Sequence, residues 1–343
     1  MEQNKTSQEL DRRNFIVRGG QRIAAFVLGL IGASLLPGQK QRALATSTPQ
    51  TQPKRKVENP WEYDLESLKK IDPALITYEE IESIPAEQEK VTALALDDSG
   101  TLYIGGDKGV RVITDKTSKR WVQLPQAPAC LAIDTNGDIF VGLKDMIVVY
   151  DKKGTKKTEF HSMGESSYLT SIAIGIDDVF VADAGNRVVW RMNKAGALLG
   201  QLGEKDERRH IPGLVIPSPY CDVALDQNGL LWVVNTGRHA FEQYKPDGTL
   251  VKRWEKTSVK IDGFSGCCNP THMAILPDGA FVTAEKGLER IKIHETDGTF
   301  RTVVAAPSQF KEGTVGLDLA VNKQGRIFVL DPSQKTARVF EKK

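Results

Sequence analysis

The stretch Cys221–Asn235, CDVALDQNGLLWVVN, is a short apolar run, a turn centred on Asp226 and Gly229, and a second run of β-branched and aromatic residues. The same unit recurs along the chain as VTALALDDSGTLYIGG, ACLAIDTNGDIFVGL, LTSIAIGIDDVFVAD, HMAILPDGAFVTAE and GLDLAVNKQGRIFVLD, which makes six copies. Their turns fall at Gly100, Gly137, about Asp178, Gly229, Gly279 and Gly325, 37 to 51 residues apart. That period is the one expected when each unit is a four-stranded propeller blade. A second hairpin follows most copies, with a four-residue turn ending at Gly154, Gly196, Gly248 or Gly298.

The sequence therefore predicts an all-β, six-bladed propeller over residues 75–343. The last copy ends at ARVFEKK with no length left for an outer strand, while LITYEEIESIP, Leu75–Pro85, is a strand without a blade. It is expected to close the ring, which removes an exposed edge. Two stacked sandwiches would explain neither the sixfold count nor the open last copy.

Residues 1–45 read as an export signal. Arg12 and Arg13 precede Asn14-Phe15-Ile16, an apolar run spans Ile23–Leu36, and Ala43-Leu44-Ala45 forms an A-x-A cleavage site. The run has 14 residues, short of the ~20 of a transmembrane helix. No stable membrane insertion is expected after cleavage, an uncleaved anchor being the alternative. Residues 46–74 read as a linker: polar and Pro-containing, then a short helical pattern from Trp61 to Lys70 that stops at Pro73.

The whole chain has 46 Lys and Arg against 44 Asp and Glu. Taking away the seven basic and three acidic residues of 1–45 leaves 39 against 41, a net charge of −2. Near balance without a basic stripe argues against nucleic acid and anionic membrane as partners. Cys130, Cys221, Cys267 and Cys268 would all lie in an oxidising compartment, where disulfides are permitted.

Two resemblances follow. RRNFI resembles the twin-arginine consensus, which implies export of a folded, periplasmic or secreted protein. VFVADAGNRVVWRMNKAGALLGQLG, Val179–Gly203, together with the opening of CDVALDQNGLLWVVN, resembles NHL repeats, and the chain as a whole resembles exported bacterial NHL proteins. That resemblance implies a six-bladed fold and leaves activity open, since binding modules, lyases and lactonase-like relatives share it.

It also implies that the inner strands start at one mouth of a central channel. Counting two residues back from the recurring Ala95, Ala132, Ala173, Ala224, Ala274 and Ala320 gives Ala93, Cys130, Ser171, Asp222, His272 and Asp318, a largely polar ring. The aspartates are expected to bind backbone N–H groups. The second-strand loops should bring Arg187, Arg238, His239, Glu285, Lys286 and Arg290 to the same face as a charged ligand-binding surface. The Gly203–Tyr220 insertion should overhang it. Asp134–Asp138 resembles the start of a calcium loop but lacks its distal Glu, and reads as a hairpin turn.

In GFSGCCNPTHMAILPDG, Gly263–Gly279, three readings of the cysteines compete. Cys267 and Cys268 could bond to each other. One of them could pair with Cys221. Or Cys221, Cys267, Cys268 and His272 could hold copper or zinc.

The function expected is a monomeric binding scaffold that holds a periplasmic protein or a small anionic ligand at its charged channel-mouth face. The alternatives are a metal-dependent propeller lyase or lactonase, and a redox accessory factor using Cys267, Cys268 and His272. No residue draws a catalytic role from its spacing.

Overall fold

The computed structural model describes residues 64–114 and 117–343. The export signal and the first part of the linker lie outside the described residues.

The side chain that opens most hairpins also closes its turn. Asp97 accepts from the N–H groups of Ser99 and Thr101, Asp134 from Asn136 and Asp138, Asp226 from Asn228 and Leu230, and Asn322 from Gln324 and Arg326. Gly100, Gly137, Gly229 and Gly325 follow at φ of 87°, 83°, 72° and 79°, where a side chain would strain the backbone. The Asp134 run is thus a turn, as read. The third copy lacks such a glycine and turns with Gly175 N–H donating to Asp178 O at 2.8 Å.

These turns build six four-stranded antiparallel sheets. Their inner strands are Val91–Leu96, Cys130–Ile133, Leu169–Ile174, Val223–Leu225, His272–Ile275 and Leu319–Val321, in blades 1 to 6. The second strands are buried almost throughout, as in Leu231–Asn235 and Ile327–Asp331, because each is covered by the adjoining blades. Outer strands such as Leu198–Leu202 and Lys156–Glu159 are mostly exposed. Packing therefore concentrates in the seams. Between blades 4 and 5, Trp232, Phe241, Trp254, Phe264 and Phe281 form one cluster, with Phe241 and Trp254 stacked at 4.2 Å.

Blade 6 takes Tyr78–Pro85 as its outer strand, antiparallel to Thr336–Lys342, with Tyr78 opposite Lys342 and Pro85 opposite Thr336. The strand starts three residues later than expected, because Asp72 caps a 3-10 turn over Pro73–Leu75. Upstream, the helical pattern folds as a single short helix, Leu65–Lys69, capped by Asp64. Asp318 adds a second tie across the closure: its Oδ2 accepts the N–H of Leu94 in blade 1 at 2.8 Å.

Candidate functional site: the mouth of the channel

The ring drawn from the recurring alanines converges around the channel. Asp222 Oδ1 accepts from Ser171 Oγ and from its neighbour Val223 N–H, and Asp222 Oδ2 accepts the N–H of Met273 in the next blade at 2.7 Å. Asp318 uses the N–H groups of Leu319 and Leu94 in the same way. Each aspartate therefore ties its blade to the next, a structural role that satisfies a buried carboxylate.

Between the two carboxylates stands His272. Its Nδ1 lies 3.3 Å from Asp318 Oδ1 and 3.7 Å from Asp222 Oδ2. Burial alone would lower its pKa, but hydrogen bonding to and the charges of Asp222 and Asp318 outweigh it and raise the value to about 10. At neutral pH the ring is an imidazolium, and among the described residues its Nε2 has no hydrogen-bond partner. It can donate a hydrogen bond but cannot serve as a general base.

His272 is also a floor. Above it lies a cavity of about 670 Å³ whose walls include Val91, Pro128, Leu169, Pro219, Val315, Tyr168 and Tyr220. A second space, of about 390 Å³, is lined by inner-strand side chains such as Leu94, Ile172 and Val223, together with Asp222 and Asp318. The Tyr220 ring meets His272 edge-on at 5.9 Å, and Lys286 Nζ sits 5.0 Å from the Tyr220 ring centre. Burial raises the Tyr220 pKa, so its phenol keeps its proton. Lys90 and Lys144 stand on the cavity wall. The acid beside them, Glu89, is paired to Lys335, so the rim is cationic.

The expected ligand-binding surface divides. Arg187 is exposed, at φ 59° in the turn that Asp183 caps, and Lys286 reaches the cavity through Tyr220. Arg238 is half-buried and donates to Pro212 O at 3.3 Å. The other three need correction. His239 is buried, hydrogen-bonded to Thr257 and to Gly266 O. Glu285 and Arg290 are sealed with Lys292, which the sequence reading passed over. Arg290 Nε and Lys292 Nζ each lie 2.8 Å from Glu285 Oε1. The two cations also reach the carbonyls of Lys260, Ile261 and Gly263. The loop over residues 256–266 folds across this group and closes it to solvent.

Burial alone would raise the Glu285 pKa, yet Lys292 and Arg290 hold it below the carboxylate range. Lys292 is lowered to about 8, chiefly by burial.

The Gly203–Tyr220 insertion is likewise less of a rim than expected. Ile211, Leu214 and Ile216 are buried in the seam of blades 3 and 4, and only its end, Pro219 and Tyr220, reaches the cavity.

The cysteines are all free. Cys267 and Cys268 bring their sulfurs to 3.1 Å, whereas Cys221 is buried against Val234 O. Burial raises the thiol pKa of Cys221 and of Cys130, which opposes the thiolate a metal needs. Among the described residues no group of three or more His, Cys, Asp or Glu side chains is arranged to hold a metal ion, so the set Cys221, Cys267, Cys268 and His272 is not assembled. The cavity residues that sequence reading missed, Lys90, Tyr168 and Tyr220, had a signal: they lie four or five residues before the recurring alanine, two or three residues upstream of the ring.

No family model and no curated protein matches this chain. Its fold is similar to a streptogramin B lyase structure, at 12% identity and TM-score 0.57, covering 79% of this chain and 100% of that one. It is similar as well to a catalytically inactive virginiamycin B lyase from Staphylococcus aureus with quinupristin, at 14% identity and TM-score 0.56, covering 77% and 99%. A third is a protein of unknown function from Bacteroides thetaiotaomicron, at 15% identity and TM-score 0.57, covering 77% and 71%. At these identities the likeness is one of fold.

Proposed function

We propose that this protein is an exported, NHL-type binding propeller that takes a small anionic ligand with an apolar body into the mouth of its channel. The observation that carries the reading is the cavity of about 670 Å³ floored by the His272 imidazolium and rimmed by Lys90 and Lys144. Its size suits a small molecule. Its aliphatic and tyrosine walls suit an apolar body, and the Lys90 and Lys144 ammonium groups at its edge suit a carboxylate, sulfonate or phosphate. Export by the twin-arginine route rests on Arg12, Arg13 and the run ending at Ala45, and would place the mouth in the periplasm.

Catalysis of the lyase kind has less support. His272 is held protonated, and the carboxylates beside it are spent on backbone N–H groups.

The test is a panel of aromatic carboxylates, sulfonates and sugar phosphates, titrated calorimetrically into wild type and a Lys90→Ala, Lys144→Ala double variant. Binding of one class that weakens at least about tenfold in the double variant and falls with added salt is expected. Equal affinity in both proteins, or preference for cations, would remove the reading.

A further inference from the structure

The loop before blade 5 carries a feature that neither the fold nor the cavity requires. Cys267 and Cys268 are adjacent, their sulfurs are 3.1 Å apart, and the two differ sharply in access. Cys267 is exposed and Cys268 is fully buried.

Their frame is held from several sides. Asn269 Nδ2 donates to Ser265 O and Lys286 O, and Asn269 Oδ1 accepts from Lys286 N–H. His239 fixes Gly266 O, and Lys292 binds Gly263 O at 2.6 Å. Two thiols on a clamped loop have little freedom to lose when they bond. The other two cysteines are buried, Cys130 at the start of the blade 2 inner strand and Cys221 two residues before the blade 4 inner strand.

We propose that Cys267 and Cys268 are a reversible dithiol–disulfide couple, exchanging with low-molecular-weight disulfides at the protein surface. The exposed Cys267 thiolate attacks one sulfur of the oxidant RS–SR, forming a mixed disulfide and releasing RS⁻. Cys268, deprotonated, then attacks the Cys267 sulfur, closing an eight-membered ring and releasing a second RS⁻. Two electrons pass from the protein to the oxidant, and the two thiol protons go to the departing thiolates or to water. An accessible thiol next to a resolving one is the arrangement such exchange uses; the hydrogen bond with Cys268 raises the Cys267 pKa, so the attack quickens as pH rises.

The ring is also made easy to reopen. Neighbouring Cα atoms are ~3.8 Å apart across a trans peptide, below the ~4.4 Å at which disulfides normally begin. Strain of that kind keeps the couple responsive to reductant, unlike a structural bridge.

The experiment equilibrates the full chain, folded, in glutathione buffers of graded ratio, traps free thiols with an alkylating reagent, and maps the peptides by mass. The expected result is one peptide holding both Cys267 and Cys268, two hydrogens lighter, whose share rises with oxidised glutathione and reverses with reduced. Cys130 and Cys221 should react only after unfolding. Cys268→Ser should stall as a glutathione adduct on Cys267, and Cys267→Ser should acquire neither adduct nor bridge. Free thiols at both positions in the most oxidising buffer, or a bridge from either one to Cys130 or Cys221, would overturn the proposal. Cys267 is exposed, so its variant should fold, and a thermal melt checks that. None of these readouts depends on ligand binding at the mouth.

Discussion

Blade 5 contributes to two clusters of ionised side chains, one shared with blades 4 and 6, that differ in their surroundings. In the channel, His272 stands between Asp222 and Asp318; 13 residues downstream in sequence, Glu285 pairs with Arg290 and Lys292. The second cluster is closed, with its cations also bonded to loop carbonyls. The first is open on one side, where the His272 ring meets the mouth cavity. A sealed group of charges fixes a loop; an open one can meet a ligand.

The largest expected effect breaks the closed cluster. Glu285→Gln leaves two buried cations without their counter-charge and should cost about 3–5 kcal/mol, read as a lowered midpoint in urea. A loss under about 1 kcal/mol would mean that the loop admits water and the cluster is not sealed.

The pH dependence separates the clusters next. The folded pKa of His272, about 10, lies above its unfolded value of ~6.5. Its stabilisation is therefore complete below pH ~6.5 and is lost as pH rises toward the folded value. Lys292 has the opposite sign. Its folded pKa of about 8 is below the unfolded ~10.4, so stability rises with pH between those limits. On the acid side, burial and the charge of Lys292 lower His294 to about 3, which removes stability as pH falls below ~6.5. Wild type should thus be most stable near pH ~6.5 and lose roughly 2 kcal/mol by pH ~8. His272→Asn should flatten that limb. A variant that keeps the wild-type slope would show that His272 is neutral in the fold.

A smaller change, Asp222→Asn, keeps the shape but weakens acceptance from Met273 N–H, at about 1–3 kcal/mol. It should also lower the His272 pKa, read by NMR. The smallest effect is expected at the surface: Lys69, itself half-buried, pairs with the exposed Glu312, and Lys69→Ala should lower the urea midpoint by less than any of the changes above.

The fold was legible because the turn chemistry repeats. Asp97, Asp134, Asp226 and Asn322 announce their hairpins in sequence, and the unassigned strand read at Leu75–Pro85 is the one that pairs with Thr336–Lys342, from Tyr78 on. The polar ring was legible for the same reason, since a repeat fixes which residues share a level. Glu285 and Arg290 were misread because the carbonyls that Arg290 binds, those of Lys260 and Gly263, lie 27 to 30 residues from it, and nothing local says that this loop folds over the pair. The insertion misled in the same way: its charges suggested a rim, while Ile211, Leu214 and Ile216 went to the seam.

The central claim is that the His272 imidazolium faces the mouth as a donor for an anion. The most direct measurement is the nitrogen-15 NMR signal of His272 at pH 8, with and without the best anion of the panel. The account predicts an imidazolium in both states, with the Nε2–H resonance moving as the anion saturates. A neutral ring at pH 8, or a resonance that stays in place while the anion binds, would contradict it.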